Sequence, residues 1–160
     1  MELSLTLNGL TLRLREDGDL EALADLWVAS WAEAMPQIDF RARRAWLLDH
    51  VKTLEAQGAL TFCALDAEGR RLGFATVDPE SGVLDQIAVA PQAKGAGAAR
   101  ALILKARATS RAPLRLDVNR DNPRALRFYL REGFVVEGEG VNPRSGLAVL
   151  HMRDARGVRS

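Results

Sequence analysis

The stretch that most constrains this chain runs from Leu84 to Ala106, Leu-Asp-Gln-Ile-Ala-Val-Ala-Pro-Gln-Ala-Lys-Gly-Ala-Gly-Ala-Ala-Arg-Ala-Leu-Ile-Leu-Lys-Ala. An apolar strand stops at Pro91, passes through a loop holding Gly95 and Gly97, and opens directly into an Ala- and Leu-rich helix. The first backbone N–H groups of such a helix have no intrahelical acceptor. Together with the positive end of the helix dipole they form an anion site. Glycine in the loop lets a phosphate approach the backbone where a Cβ would block it. Two familiar phosphate patterns do not fit: the Walker run Gly-Lys-Ser/Thr is absent, and Arg100 stands where a dinucleotide fingerprint needs its third glycine. Taken alone, the loop is also compatible with an ordinary helix start behind a flexible Gly-Ala turn.

A second segment narrows the choice. Asn119-Arg120-Asp121-Asn122-Pro123-Arg124-Ala125-Leu126-Arg127-Phe128-Tyr129-Leu130-Arg131-Glu132-Gly133-Phe134 reads as a capped helix. Asp121 or Asn122 supplies the cap, Pro123 suits the first turn, and Gly133 supplies a left-handed end. Asn122 and Tyr129 are separated by about two helical turns and so share a face. Each also has a purely structural reading, Asn122 as a cap and Tyr129 as a core aromatic.

Both segments resemble signatures of the GNAT superfamily of N-acetyltransferases. The family's Gln/Arg-x-x-Gly-x-Gly/Ala loop is met by Gln92-Ala93-Lys94-Gly95-Ala96-Gly97, after a strand and proline matching Ile87-Ala88-Val89-Ala90-Pro91. Lys94 replaces the more usual Arg, and Ala99 stands where a further Gly is frequent. The family's Asn-x-x-Ala-x-x-x-Tyr-x-x-x-Gly-Phe pattern is met at Asn122, Ala125, Tyr129, Gly133 and Phe134. The resemblance spans roughly Leu10 to Arg153, with specificity concentrated in these two segments.

Composition agrees with a single enzyme-sized domain. The 160 residues can bury one substantial core, and 48% hydrophobic with 27% charged residues is ordinary for a globular protein. A net charge of +1 makes no global case for nucleic-acid or membrane binding. The expectation is a cytoplasmic protein: no run approaches the roughly 20 apolar residues of a membrane span, and no signal-peptide pattern opens the chain. Cys63 alone cannot form an internal disulfide or a thiolate metal site, and His50 and His151 are far apart in sequence, so no metal is expected.

Hydrophobic periodicity predicts the element order. Leu3 to Leu14 reads as a hairpin turning at Asn8-Gly9, followed by a helix from Asp17 or Asp19 to near Pro36 and a second over Asp39–Gln57. Strands Leu60–Leu65, Leu72–Val77 and Val83–Val89, a helix to about Thr109, strand Leu114–Val118, helix Asn122–Arg131 and strands Phe134–Glu139 and Leu147–Met152 complete it. The fold class is α+β. The resemblance implies a mixed, mainly antiparallel central sheet of about seven strands with helices on both faces, preceded here by an extra N-terminal strand.

The resemblance also implies chemistry. Acetyl-CoA is the expected co-substrate, lying in a V between two splayed parallel strands, Val83–Val89 and Leu114–Val118. Backbone groups of Ile87, Ala88 and Val89 would partner the pantetheine amides as an added strand does. Gln92 and the run Lys94, Gly95, Ala96, Gly97, Ala98, Ala99 and Arg100 would surround the pyrophosphate, with Asn122 and Phe128 on the other side of the arm. Tyr129 stands in the general-acid position for the departing thiolate. Asp85 is the candidate base; it could equally steer a cationic acceptor, or be a surface ion pair. Gln86 would point to the opposite sheet face unless a bulge intervenes.

The acceptor is expected to be a small-molecule or peptide amine, and a homodimer is compatible with the reading. Its site would be walled by Trp27, Trp31, Met35 and His151, with Ser30, Pro36 and Asp39 nearby. Trp27 and Trp31, four apart on one helix face, also read as core, as aromatic stripes at helical spacing usually are, and His151 as packing. Arg41, Arg43 and Arg44 read as an anion-attracting cluster or a solvated face. A non-catalytic acyl-CoA-binding sensor of the same fold is the alternative, disfavoured because pure binding does not need the Tyr129 phenol.

Overall fold

A computed structural model describes residues 5–7 and 9–156. Leu5–Leu7 (β1) and Leu10–Leu14 (β2) pair antiparallel, so the expected N-terminal hairpin forms; Asn8 in its turn, like Leu3, lies outside the described residues. A short 3-10 turn over Asp17–Asp19 leads into α1, Leu20–Ala34. The second helix starts later than the Asp39 expected. A 3-10 turn over Arg41–Arg43, capped by Asp39 accepting from the Ala42 N–H, precedes α2, Arg44–Ala56. Strands β3 (Leu60–Leu65), β4 (Arg71–Val77) and β5 (Leu84–Val89), helix α3 (Ala98–Thr109), strand β6 (Arg115–Asn119), helix α4 (Pro123–Arg131) and strands β7 (Phe134–Val141) and β8 (Ala148–Asp154) follow.

β3 and β4 are the most apolar strands because both of their faces are covered. Along β3, Phe62 and Ala64 point into a core shared with α3 and α4, whereas Cys63 and Leu65 point into a second core under α1 and α2. The first core holds Leu102, Ile103, Leu114, Phe134 and Met152, and the second Leu23, Leu47, Val51 and Phe74, all essentially inaccessible. Burying side chains of this size contributes about 1.5–3 kcal/mol each.

Asp19, 1% exposed, anchors the start of α1 to the sheet: Arg13 donates to it at 2.7 Å, Arg71 at 2.7 Å and the Glu16 amide at 2.8 Å. Burial alone would raise its pKa, but these donors outweigh burial and hold the carboxyl well below its usual range. The Cys63 thiol beside it is pushed up to about 12, by burial first and by the Asp19 charge second. It is a packed, unreactive thiol.

The sheet is divided. Instead of one continuous sheet, the strands form a five-stranded sheet in the order β1-β2-β3-β4-β5 and a three-stranded one in the order β6-β8-β7. β5 and β6 run parallel and meet only at Val83 and Arg115, where the Arg115 N–H donates to the Gly82 carbonyl at 2.9 Å. Gly82 has φ of +81°, and a Cβ there would lie 2.2 Å from the Pro113 carbonyl oxygen. Only glycine permits this approach. Beyond it the strands part, and the facing edges of β5 and β6 have no strand partner among the described residues for their backbone groups.

Candidate active site

The parting of β5 and β6 opens two connected spaces. One, of about 830 Å³, lies between the C-terminal end of α1, β5, the start of α3, β6 and α4. The other, of about 1170 Å³, lies under α1 and α2, bounded across the gap by β6, β7, β8 and the loop joining the last two strands. Trp31, Leu84, Asp85, Gln86, Leu116 and Asp117 line both, so Asp85 stands at the junction.

The smaller space is floored by an anion cradle. After the 3-10 turn Pro91–Ala93 the chain reaches Gly95 at φ +88° and Gly97 at φ +84°, and Gly97 is the N-cap residue of α3. At neither glycine would a Cβ meet an atom within 4 Å. The requirement is therefore dihedral, and the space above the turn is open for a ligand. The N–H groups of Ala98, Ala99 and Arg100 begin the helix and point at that space without intrahelical acceptors. Lys94 is tied to Glu33 at the end of α1, which fixes the rim of the cradle. Across the gap, Arg124, Arg127 and Arg131 recur at helical spacing along α4 and join Arg100 as a basic lining. The cleft suits a long, apolar-bodied polyanion.

Tyr129 lies on the buried side of α4, its ring edge-to-face with Phe128 and Phe134 at centroid distances of 5.3 and 5.6 Å. It lines the smaller cleft, and its hydroxyl makes no hydrogen bond among the described residues. Burial pushes the phenol above its ordinary value near 10. It stays protonated at neutral pH and can only be a donor to a developing anion. Asn122 serves both readings, since its Oδ1 caps α4 by accepting from the Ala125 N–H at 3.3 Å while the residue lines the cleft.

Asp85 owes its direction to a β-bulge. Thr76 pairs with Gln86 and Val77 with Leu84, so Asp85 has no partner on β4, and the alternation of side chains is broken. Asp85 and Gln86 consequently both face α1 and α2. The Trp27 Nε1–H donates to Gln86 Oε1 at 2.9 Å, which turns the Gln86 amide nitrogen to Asp85 Oδ1 at 3.0 Å. His50 Nε2 lies 2.7 Å from that same oxygen. An ionised carboxylate only accepts, so the His50 nitrogen facing it carries hydrogen. His50 is itself stacked on Trp46 with centroids 4.4 Å apart. Both bonds land on Oδ1, leaving Oδ2 without a protein partner among the described residues. A second pair, His151 Nδ1 with Asp117 Oδ1 at 2.6 Å, lies across the gap. Gly140 makes room for that imidazole, whose Nε2 would be 2.6 Å from a Cβ there.

Residues 20–134 match the profile of the Acetyltransferase (GNAT) family. The chain belongs to this family. Known structures agree with that assignment of the acetyltransferase. The solution structure of apo YjaB from Escherichia coli shares its fold, with a TM-score of 0.74 and 23% identity over 91% of this chain and 97% of that one. Spermidine N-acetyltransferase from Vibrio cholerae, in complex with CoA and spermine, is 25% identical over 96% of this chain and all of its own, at a TM-score of 0.68. A nourseothricin acetyltransferase is 30% identical over 61% of this chain and 65% of its own, at a TM-score of 0.55. No curated protein sequence matches the chain. No helix among the described residues is long and apolar enough to cross a membrane.

The acetyltransferase fold brings most of the expected site residues to the two spaces and moves three away. Ile87, Ala88, Val89, Lys94, Gly95, Gly97, Ala98, Ala99, Arg100, Asn122 and Phe128 line the smaller cleft; Gln92 and Ala96 lie outside its lining, and Gln92 is exposed. Met35, expected on the acceptor wall, is 1% exposed in the core under α1, its sulfur accepting from Asn119 Nδ2 at 3.2 Å. Trp27 is 3% exposed and is both core and wall, because its indole N–H holds Gln86. Trp31, stacked on Phe40 at 5.4 Å, and His151 line the larger cavity. Sequence reasoning gave no site role to His50 or the three α4 arginines, and by alternation put Gln86 on the opposite face unless a bulge intervened, as it does. The arginines' spacing was readable; the His50–Asp85 contact, between residues 35 positions apart, was not.

Proposed function

We propose that this acetyltransferase moves the acetyl group of acetyl-CoA to an amine nitrogen by direct attack, with Tyr129 as the acid and Asp85 beside the acceptor. The observation that carries the reading is the junction. A cradle of helix N–H groups and arginines fills one limb of the V, an aromatic cavity the other, and Asp85 stands where they meet.

The unpaired edges of β5 and β6 suit the amides of the pantetheine arm as an inserted strand. The Gly95–Arg100 turn and the arginines of α4 suit the phosphates. This geometry would bring the thioester between Tyr129 and the junction. As the amine adds to the thioester carbonyl, the C–N bond forms and the C–S bond breaks. Tyr129 donates its proton to the departing sulfur, whose own pKa near 8.5 makes modest acid strength sufficient. Asp85 Oδ2 receives the amine proton, directly or through water. His50 and Gln86 keep Oδ1 occupied, so the carboxylate cannot rotate away.

Calorimetry with acetyl-CoA, NAD and ATP tests the donor, and thiol release over a panel of amines tests turnover. Binding of acetyl-CoA with thiol release in the presence of an amine is the expected result. Binding without turnover on any amine would favour the sensor alternative.

A further inference from the structure

The larger cavity is lined by as many carboxylates as guanidiniums, but they are paired unevenly. Its three lining carboxylates are each partnered: Asp85 by His50, Asp117 by His151, and Glu137 by Arg115 at 3.5 Å and Arg153 at 3.7 Å. Two cations in the same lining, Arg43 and Arg144, pair with no carboxylate among the described residues. They stand on aromatic rings instead. The Arg43 guanidinium lies 5.3 Å from the Phe40 centroid, and that of Arg144 lies 4.1 Å from the Trp46 centroid. Phe40 and Trp46 both flank Trp27, at 5.4 and 6.2 Å, so one aromatic cluster carries both guanidiniums.

These are not generic surface charges. Arg44, next to Arg43, is turned away and neutralised by Glu21 at 2.9 Å and Asp25 at 2.7 Å. Arg144 sits at the tip of the β7–β8 loop, which Asn142 Oδ1 shapes by accepting from the Arg144 N–H at 2.8 Å and the Ser145 N–H at 3.2 Å. A guanidinium held over a ring rather than by a carboxylate keeps its N–H groups available for an anion. A polyamine carries no group that these two guanidiniums could bind.

We infer that the acceptor is an amine that also carries an anionic group, a carboxylate or a phosphate, which Arg43 and Arg144 hold while the amine reaches Asp85. The inference rests on the acetyltransferase reading and adds the charge of the acceptor to it.

Matched acceptors test it by thiol release from acetyl-CoA: L-phenylalanine against 2-phenylethylamine, O-phosphoethanolamine against ethanolamine, and spermidine. The expected result is a kcat/KM at least about tenfold higher for the anionic member of one pair, and that pair tells carboxylate from phosphate. Arg43→Gln and Arg144→Gln should each raise the KM of that acceptor about fivefold or more and erode the preference. Acetyl-CoA affinity by calorimetry should hold within about twofold, because neither residue lines the smaller cleft. A preference for spermidine or the uncharged amines, or one that survives the double substitution, overturns the inference. So does failure of every acceptor while acetyl-CoA binds, a result that leaves the donor reading intact. If acetyl-CoA does not bind, the acetyltransferase reading fails, and titration of the protein with O-phosphoethanolamine and L-phenylalanine still decides the arginine pair.

Discussion

The two limbs of the V are built in different ways. The cradle limb is made largely of backbone from one continuous stretch, β5 through the first turn of α3, with α4 closing over it. The limb assigned to the acceptor is made of side chains from α1, the 3-10 turn before α2, α2, β5, β6, β7, β8 and the β7–β8 loop, none sufficient by itself. A backbone site tolerates variation in its side chains and binds one constant ligand. A side-chain site can be respecified residue by residue while the sheet stays unchanged. Asp85 and Tyr129 stand near the boundary, where a constant donor would meet a variable acceptor.

Substitutions can break this division. Tyr129→Phe keeps the two edge-to-face contacts and removes the hydroxyl proposed to protonate the leaving sulfur. Turnover should fall about 100-fold or more with acetyl-CoA affinity nearly unchanged. Steady-state kinetics with calorimetry decide it, and turnover within about twofold of wild type, with chemistry rate-limiting, would make Tyr129 structural. Asp85→Asn is close to isosteric and should lower kcat/KM by roughly 10–100-fold, again sparing acetyl-CoA. A loss in kcat would mean proton removal, and a loss confined to KM would mean charge steering. A loss in acetyl-CoA affinity would instead show that Asp85 belongs to the cradle.

Gly97→Val should weaken acetyl-CoA binding by about tenfold or more. The structure refines the reason: a β-branched residue is strained at φ +84°, and any side chain there also projects into the ligand's space. Gly97→Asn, which tolerates the left-handed region better, separates the two causes. If both variants lose affinity equally, ligand clash dominates; if Asn is benign, backbone strain does. Acceptor KM should be unaffected in either.

The mildest test concerns the anchor of α1, which walls the acceptor limb. Asp19 has a depressed carboxyl pKa in the folded state. It therefore contributes stability above the unfolded value near 3.9, and that contribution is lost as pH falls through the folded value. Thermal unfolding followed from pH 6 to pH 3 should show a falling midpoint below about pH 4. Asp19→Asn should shrink that acid-dependent part. An unchanged pH profile in the variant would assign the acid sensitivity to other carboxylates.

Much of the cradle limb was legible because its physics is local. Gly95, Gly97, Asn122, Pro123 and Gly133 act on their own dihedrals or on N–H groups within one turn, so spacing alone reveals them. The acceptor limb was not. The direction of Asp85 depends on a bulge against β4, and alternation by itself would have sent Gln86 to the other face. Met35 and Trp27 lie on the same helix pattern, yet one is sealed beneath Asn119 and the other holds Gln86. Of the arginines at 41, 43 and 44, only Arg43 turns into the cavity, a choice made by Glu21, Asp25 and the Phe40 ring.

The sequence by itself determined the element order, the two cores' apolar faces, the glycine turn and the capped helix carrying Tyr129, because hydrophobic period and backbone dihedrals are properties of neighbouring residues. Only the tertiary structure decided that the sheet divides after a single bridge between Val83 and Arg115, that Asp85 is held by His50 and Gln86, and that two guanidiniums lining the larger cavity pair with no carboxylate among the described residues. Each of those depends on which residues, distant along the chain, are brought within a few ångströms of one another, and the balance of charge and sterics there is set by packing.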